Sequence, residues 1–316
     1  MLNRAFIKLY YMREHPCKSF GPLKRDFLLG KIQNEGQSAG NYLKSSSETI
    51  REAFILDNIF KYWFIGFIEG KGERKKIPFC FSLGCIRSGG QYELLEFKIT
   101  QSSADAKILF FIKKKLGFGT VRVQDKKNKT HCFKVNNKNG LEKIISLLNG
   151  NLCLESRKEE FKLWLSAYNK IYKQEILYIE NSSKPSLTTS WLSGFTDAIG
   201  CFTCSIVDSK HGNLVKLKYI LSQRGSFETM NHLAKILGGK THLIESNEYR
   251  TAVNTTKLSK VIRYFKIYPL KTNKSIIYNN WYKIYKLVFK KKHLTDKELN
   301  TIKRHINNLT RLYKQI

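Results

Sequence analysis

Phe64-Ile-Gly-Phe-Ile-Glu-Gly-Lys-Gly72 and Leu192-Ser-Gly-Phe-Thr-Asp-Ala-Ile-Gly200 share one nine-residue pattern, each preceded by a tryptophan, Trp63 and Trp191. In each, apolar residues at helical spacing run into a closing glycine, which predicts helices over 58–70 and 188–198. The succession of elements after the first stretch recurs after the second. Strands are expected at 78–83 and 92–100, a helix at 104–116 stopped by Gly117-Phe-Gly119, and a strand pair at 121–124 and 131–135. Helices at 141–148 and 157–173 complete that half. The second half runs through strands at 201–207 and 214–222, a helix at 227–237 stopped by Gly238-Gly239, strands at 240–244 and 249–254, and a helix at 257–265. Agreement over so many elements implies an internal duplication. Two further helices, 272–289 and 296–314, are joined by the basic run Lys290-Lys-Lys-His293. The linker Asn181-Ser-Ser-Lys-Pro185 separates the halves. Residues 1–56, punctuated by Gly36, Gly40 and three serines from Ser45, read as a basic extension.

Composition bounds the function. The 316 residues are 42% hydrophobic and 13% aromatic, enough for a sizeable core. Lys and Arg number 56 against 25 acids, a net charge of +31. Solubility does not require so large an imbalance, so a polyanionic partner is the expectation. No apolar run approaches the ~20 residues of a spanning helix, so no membrane partner is expected. Seven cysteines, an odd number without a framework, fit a reducing interior. Cys201-x-x-Cys204 has half the spacing of a zinc site but lacks a second pair, so no metal is assigned to it. The first thirty residues carry six Lys or Arg but also Glu14 and Asp26, an ambiguous transit peptide. Richness in Lys, Asn and Ile hints at an AT-rich genome, hence a mitochondrion or other organelle.

The paired motif resembles that of the LAGLIDADG homing endonucleases, in the two-repeat form of organellar introns and closest to their degenerate, maturase-like members. The resemblance extends over residues 57–316. It includes Ile99-Thr-Gln101, Phe111-Ile-Lys-Lys-Lys-Leu-Gly-Phe-Gly119, Asn149-Gly-Asn151, Tyr268-Pro-Leu-Lys271 and Lys292-His-Leu-Thr295. It implies an α+β fold of two pseudo-symmetric α-β-β-α-β-β-α halves, 57–180 and 181–316, forming a saddle-shaped sheet surface in a monomer. Gly66 and Gly194 would let the two motif helices touch at the centre. Lys98, Thr100 and Arg122 in one half, with Lys216, Lys218 and Arg250 in the other, would face the nucleic-acid groove together with Glu96. Gln101 and Gln223 match polar positions near the catalytic waters, and Lys271 the basic residue near the scissile phosphate. The matching place in the first half carries Glu155.

Catalysis in this family needs an acid at the eighth motif position, where carboxylates and phosphates hold divalent ions. Here those residues are Lys71 and Ile199. An ammonium repels a dication and an alkane offers it no lone pair. Glu69 and Asp197, at the sixth position, are rotated by roughly 200° on the helix, so they point elsewhere. No catalytic residue, metal or cofactor is therefore assigned, and magnesium is needed only if cleavage survives. The expected function is non-catalytic binding of structured RNA, either as an intron maturase or as a scaffold on ribosomal RNA. The competing readings are an active DNA homing endonuclease and an inactive DNA-binding protein.

Overall fold

Nine of the thirteen residues of helix α1 (Asn58–Gly70) are buried, so this helix has no solvent stripe. A helix apolar all round must pack on every side, and α1 does so against its repeat, α5 (Trp191–Ile199). Gly66 and Gly194 set the distance. A Cβ at Gly66 would collide with the Trp191 carbonyl oxygen, and one at Gly194 with the Trp63 carbonyl oxygen. Only hydrogen fits where each backbone meets the other. Trp63 stacks on Phe67 and Trp191 on Phe195, with ring centroids 5.0 and 4.6 Å apart. The computed structural model describes residues 57–70, 81–85, 92–209, 212–245, 247–290 and 295–315. Lys71 and the extension expected over 1–56 lie outside the described residues.

Each motif helix leads into a four-stranded antiparallel sheet. The first contains β1 (Phe81–Cys85), β2 (Tyr92–Ser102), β3 (Thr120–Asp125) and β4 (Thr130–Val135), in the order β1-β2-β4-β3. The second contains β5 (Cys201–Ser209), β6 (Gly212–Arg224), β7 (Lys240–Glu245) and β8 (Glu248–Asn254), in the same order, β5-β6-β8-β7. Strand periodicity separates the faces. On β2, Leu95, Phe97 and Ile99 are buried while Glu96 and Lys98 are half-buried. On β6, Val215, Leu217, Tyr219 and Leu221 are buried while Lys216 and Lys218 are exposed.

Helices cover the apolar faces. The first half uses α2 (Lys107–Leu116), α3 (Lys138–Leu148) and α4 (Glu155–Tyr172); the second uses α6 (Phe227–Leu237), α7 (Ser259–Ile267) and α8 (Lys274–Phe289). A ninth helix, α9 (Asp296–Gln315), lies on α8, and its Tyr313 hydroxyl accepts from the Phe202 N–H at 2.7 Å. Gly117 and Gly238 end α2 and α6 at positive φ, 77° and 78°. The fold is α+β, as the sequence implied. Six helix starts, those of α2, α3, α4, α5, α7 and α8, differ from expectation by two or three residues. Helix α5 begins at Trp191 because 188–190 form turns, and α8 begins at Lys274 because the Lys271 and Thr272 N–H groups are drawn to Asp197. No helix among the described residues is long and apolar enough to cross a membrane.

Candidate nucleic-acid interface

The two acids of the motif are wired alike. Glu69 is fully buried. Its Oε1 accepts from the Cys153 and Leu154 N–H groups at 2.6 and 2.7 Å, and its Oε2 from the Trp191 indole at 2.5 Å. Asp197 accepts from the Trp63 indole at 2.8 Å, the Lys271 N–H at 2.8 Å and both the N–H and hydroxyl of Thr272 at 3.1 and 2.5 Å. Each carboxylate thus takes a tryptophan from the opposite half and two consecutive N–H groups ahead of the long helix of its own half. Burial pushes the Glu69 carboxyl up to about 7, against the pull of its three donors and of Arg157. Burial also raises Asp197, against Thr272, Lys271 and Trp63. A buried carboxylate so fully used is a structural tie.

Beyond the ends of the motif helices, Gly70, Ile199 and Gly200 border an open cleft of about 750 Å³. The first half lines it with Thr100, Gln101, Ser102, Asp105 and Thr130; the second with Ser222, Gln223, Arg224, Glu248, Arg250 and Lys274. Gln101 donates to Asp105 at 3.0 Å, and Asp105 accepts from the Asn273 N–H, also at 3.0 Å, binding the first half to the start of α8. Lys274 donates to the Thr196 carbonyl at 3.0 Å, at the negative end of the α5 dipole. Arg157 does the same for α1, donating from Nε to the Glu69 carbonyl at 3.2 Å. Arg250 donates to Ser222 at 3.3 Å, and Arg224 lies 4.0 Å from Glu248.

Strand register places the remaining candidates. Lys98 pairs with Lys134, and Thr100 pairs with Cys132, which also faces Arg122. Lys98, Thr100 and Arg122 therefore share the face opposite the core, together with Glu96, which forms an ion pair with Lys134. Lys216, Lys218 and Arg250 share the corresponding face of the second sheet, because Lys218 pairs with Asn254 and Ser222 with Arg250. Gln101 and Gln223 have the other parity, yet both line the cleft, each one residue before the end of its strand. Lys271 does not line the cleft. Its ammonium lies 5.9 Å from the centre of the Trp63 ring and 5.6 Å from that of Phe111, and burial lowers its pKa. Lys274, three residues later, and Arg224, next to Gln223, are cleft cations that the sequence pattern did not single out. The one signal for Lys274 was its place at a helix start after Tyr268-Pro-Leu-Lys271.

Glu155 also moves. The Cys153 and Leu154 N–H groups answer to those of Lys271 and Thr272, so the counterpart of Lys271 is Cys153, and Glu155 forms an ion pair with Lys158. Among the described residues no group of three or more His, Cys, Asp or Glu side chains could hold a metal ion. Ile199, which borders the cleft at the end of α5, offers no side-chain oxygen to a divalent ion.

A family model described as LAGLIDADG endonuclease matches residues 64–168 and 192–285. The chain is 54% identical to the probable intron-encoded endonuclease 4 of Neurospora crassa, over 98% of this chain and 55% of that protein, so it spans about half of that relative's length. It is 24% identical to the intron-encoded RNA maturase bI4 of Saccharomyces cerevisiae, over 75% of this chain and 34% of that one. The fold is shared with the LAGLIDADG meganuclease I-AabMI, solved bound to uncleaved DNA: TM-score 0.65, 23% identity, 78% of this chain and 98% of that one.

Proposed function

Because the chain belongs to the LAGLIDADG endonuclease family, we propose that it is a nucleic-acid-binding member that holds structured organellar RNA without cutting it. The observation that carries this reading is the state of the acids. Glu69 and Asp197 are buried and consumed by donors from both halves, and the residue that ends α5 at the cleft is Ile199. Lys71 stands at the matching place in the first repeat. A hydrolysis that needs hard anionic ligands for magnesium has none at either eighth position.

What remains is a surface suited to holding a polyanion. Lys98 and Arg122 on one sheet, Lys216, Lys218 and Arg250 on the other, and Lys274 and Arg224 in the cleft would contact phosphates. Structured RNA offers them shape and 2′-hydroxyls as well. The yeast relative named an RNA maturase adds support for that class of ligand, and the intron-encoded relatives for an organellar setting.

The second reading is an active homing endonuclease, favoured by the name of the Neurospora relative. Incubating the full chain with magnesium and duplex carrying its intron-insertion sequence separates the two. No cleavage is expected; double-strand cutting abolished by Glu69→Gln or Asp197→Asn would overturn the proposal. Competition between a structured RNA and duplex DNA, at one stated salt concentration, then separates RNA from DNA binding.

A further inference from the structure

We infer that the outward groove between α7 and α8 is a second RNA-binding site, which takes an unpaired RNA segment; the inference rests on the RNA reading above. Phe265 of α7 and Tyr278 and Trp281 of α8 pack on Phe202 and Tyr219, on the core face of the second sheet. The opposite side of these two helices forms a cleft of about 400 Å³, away from the sheet surface assigned above.

Aromatic rings make one wall of the groove. Tyr282 and Tyr285 lie 6.1 Å apart and within 16° of parallel, and Tyr285 and Phe289 lie 5.7 Å apart at 22°. Phe289 is 74% exposed, an unusual place for a large ring. Cations line the rest: Arg263 and Lys266 from α7, Lys286 and Lys290 from α8. Lys286 lies over the Tyr282 ring, 5.3 Å from its centre. Neither helix carries an acid.

Ring faces interleaved with cations suit one ligand chemistry, that of a flexible strand whose bases are free to stack and whose phosphates need neutralising. Paired bases cannot offer their faces. A second copy of the chain, at +31, would meet the groove with like charge, and residues 1–56 also carry more Lys and Arg than acids. Charge therefore selects a polyanion over either.

The test uses the full chain and a fluorescent oligouridine of roughly a dozen nucleotides, with oligothymidine alongside, at fixed salt. Phe289→Ala is expected to weaken oligouridine binding about tenfold. Lys286→Gln with Lys290→Gln should do so comparably and flatten the salt dependence. Ultraviolet crosslinks should map to Tyr282, Tyr285 or Phe289. Lys216→Gln with Lys218→Gln should weaken binding of structured RNA, which judges the role of the sheet surface separately. Unchanged oligouridine binding in the groove variants would overturn the inference. So would equal binding of oligothymidine, or a dimer in light scattering that Phe289→Ala dissolves.

Discussion

The two motif helices are held alike, yet they open onto different chemistry. Each presents a glycine to its partner's carbonyl oxygen, and each gives its acid to the opposite tryptophan and to two N–H groups of its own half. At the cleft the likeness stops. The first half contributes neutral side chains and Asp105, while the second contributes Lys274, Arg224 and Arg250 against one acid, Glu248. The duplication has kept what holds the dyad together and let the lining diverge. A surface with cations on one side and hydroxyls on the other is suited to binding a strand asymmetrically.

The likeness is strongest at the glycines, so the largest effects are expected there. Gly66→Ala and Gly194→Ala each force a methyl onto a backbone carbonyl that no rotamer change can relieve. Each should cost about 3 kcal/mol in urea unfolding, or prevent folding. Tolerance of one but not the other would mean the two helix contacts are less alike than their geometry.

Titration comes next. Glu69 ionises near 4.5 when unfolded but near 7 in the folded chain, so the folded state binds more protons between those values. Stability from this group is complete below about 4.5 and is lost as pH rises to about 7, by at most about 3 kcal/mol. Asp197 acts in the same direction. Glu69→Gln cannot titrate there. Its urea midpoint should vary less with pH than the wild type's, while the repulsion of a +31 chain remains common to both. Equal slopes would show that Glu69 stays ionised on its three donors.

The tryptophans sharpen the comparison further. Glu69 has three donors and Asp197 four. Trp191→Phe strips Glu69 to two and should cost about 2 kcal/mol, whereas Trp63→Phe leaves Asp197 with three and should cost about 1 kcal/mol. Reversal of that order, read by chemical denaturation, would mean ring packing outweighs the lost hydrogen bonds.

How far these differences could be read from sequence depends on what sets each side chain's direction. The motif helices, the succession of strands along the chain and the shared face of Lys98 and Thr100 come from periodicity and glycine placement, which are local. Gln101 and Gln223 also reach the cleft, but from next to the ends of their strands, which alternation alone does not reveal. The destination of Lys271 was out of reach. Its N–H is committed to Asp197, and this turns its side chain onto Trp63 and Phe111. The cleft position passes to Lys274, a result of loop geometry and not of residue type. Asp105 was invisible for a like reason, since its partner Asn273 belongs to the other half.

The smallest expected effect tests the asymmetry of the cleft itself. With Cys153 and Leu154 answering to Lys271 and Thr272, the residue answering to Lys274 is Ser156, which lies beside Gly225. The Lys274 ammonium has donors enough to meet a phosphate as well as the Thr196 carbonyl. Lys274→Gln should weaken binding of structured RNA several-fold, evenly across sequences, and lower the slope of log affinity against log salt by about one. Ser156→Ala should change neither. Ser156→Lys should partly restore the slope in the Lys274→Gln background if the halves differ only in this side chain. Failure to restore it would place the asymmetry in the path of the bound strand, because a cation at the mirrored position would then meet no phosphate.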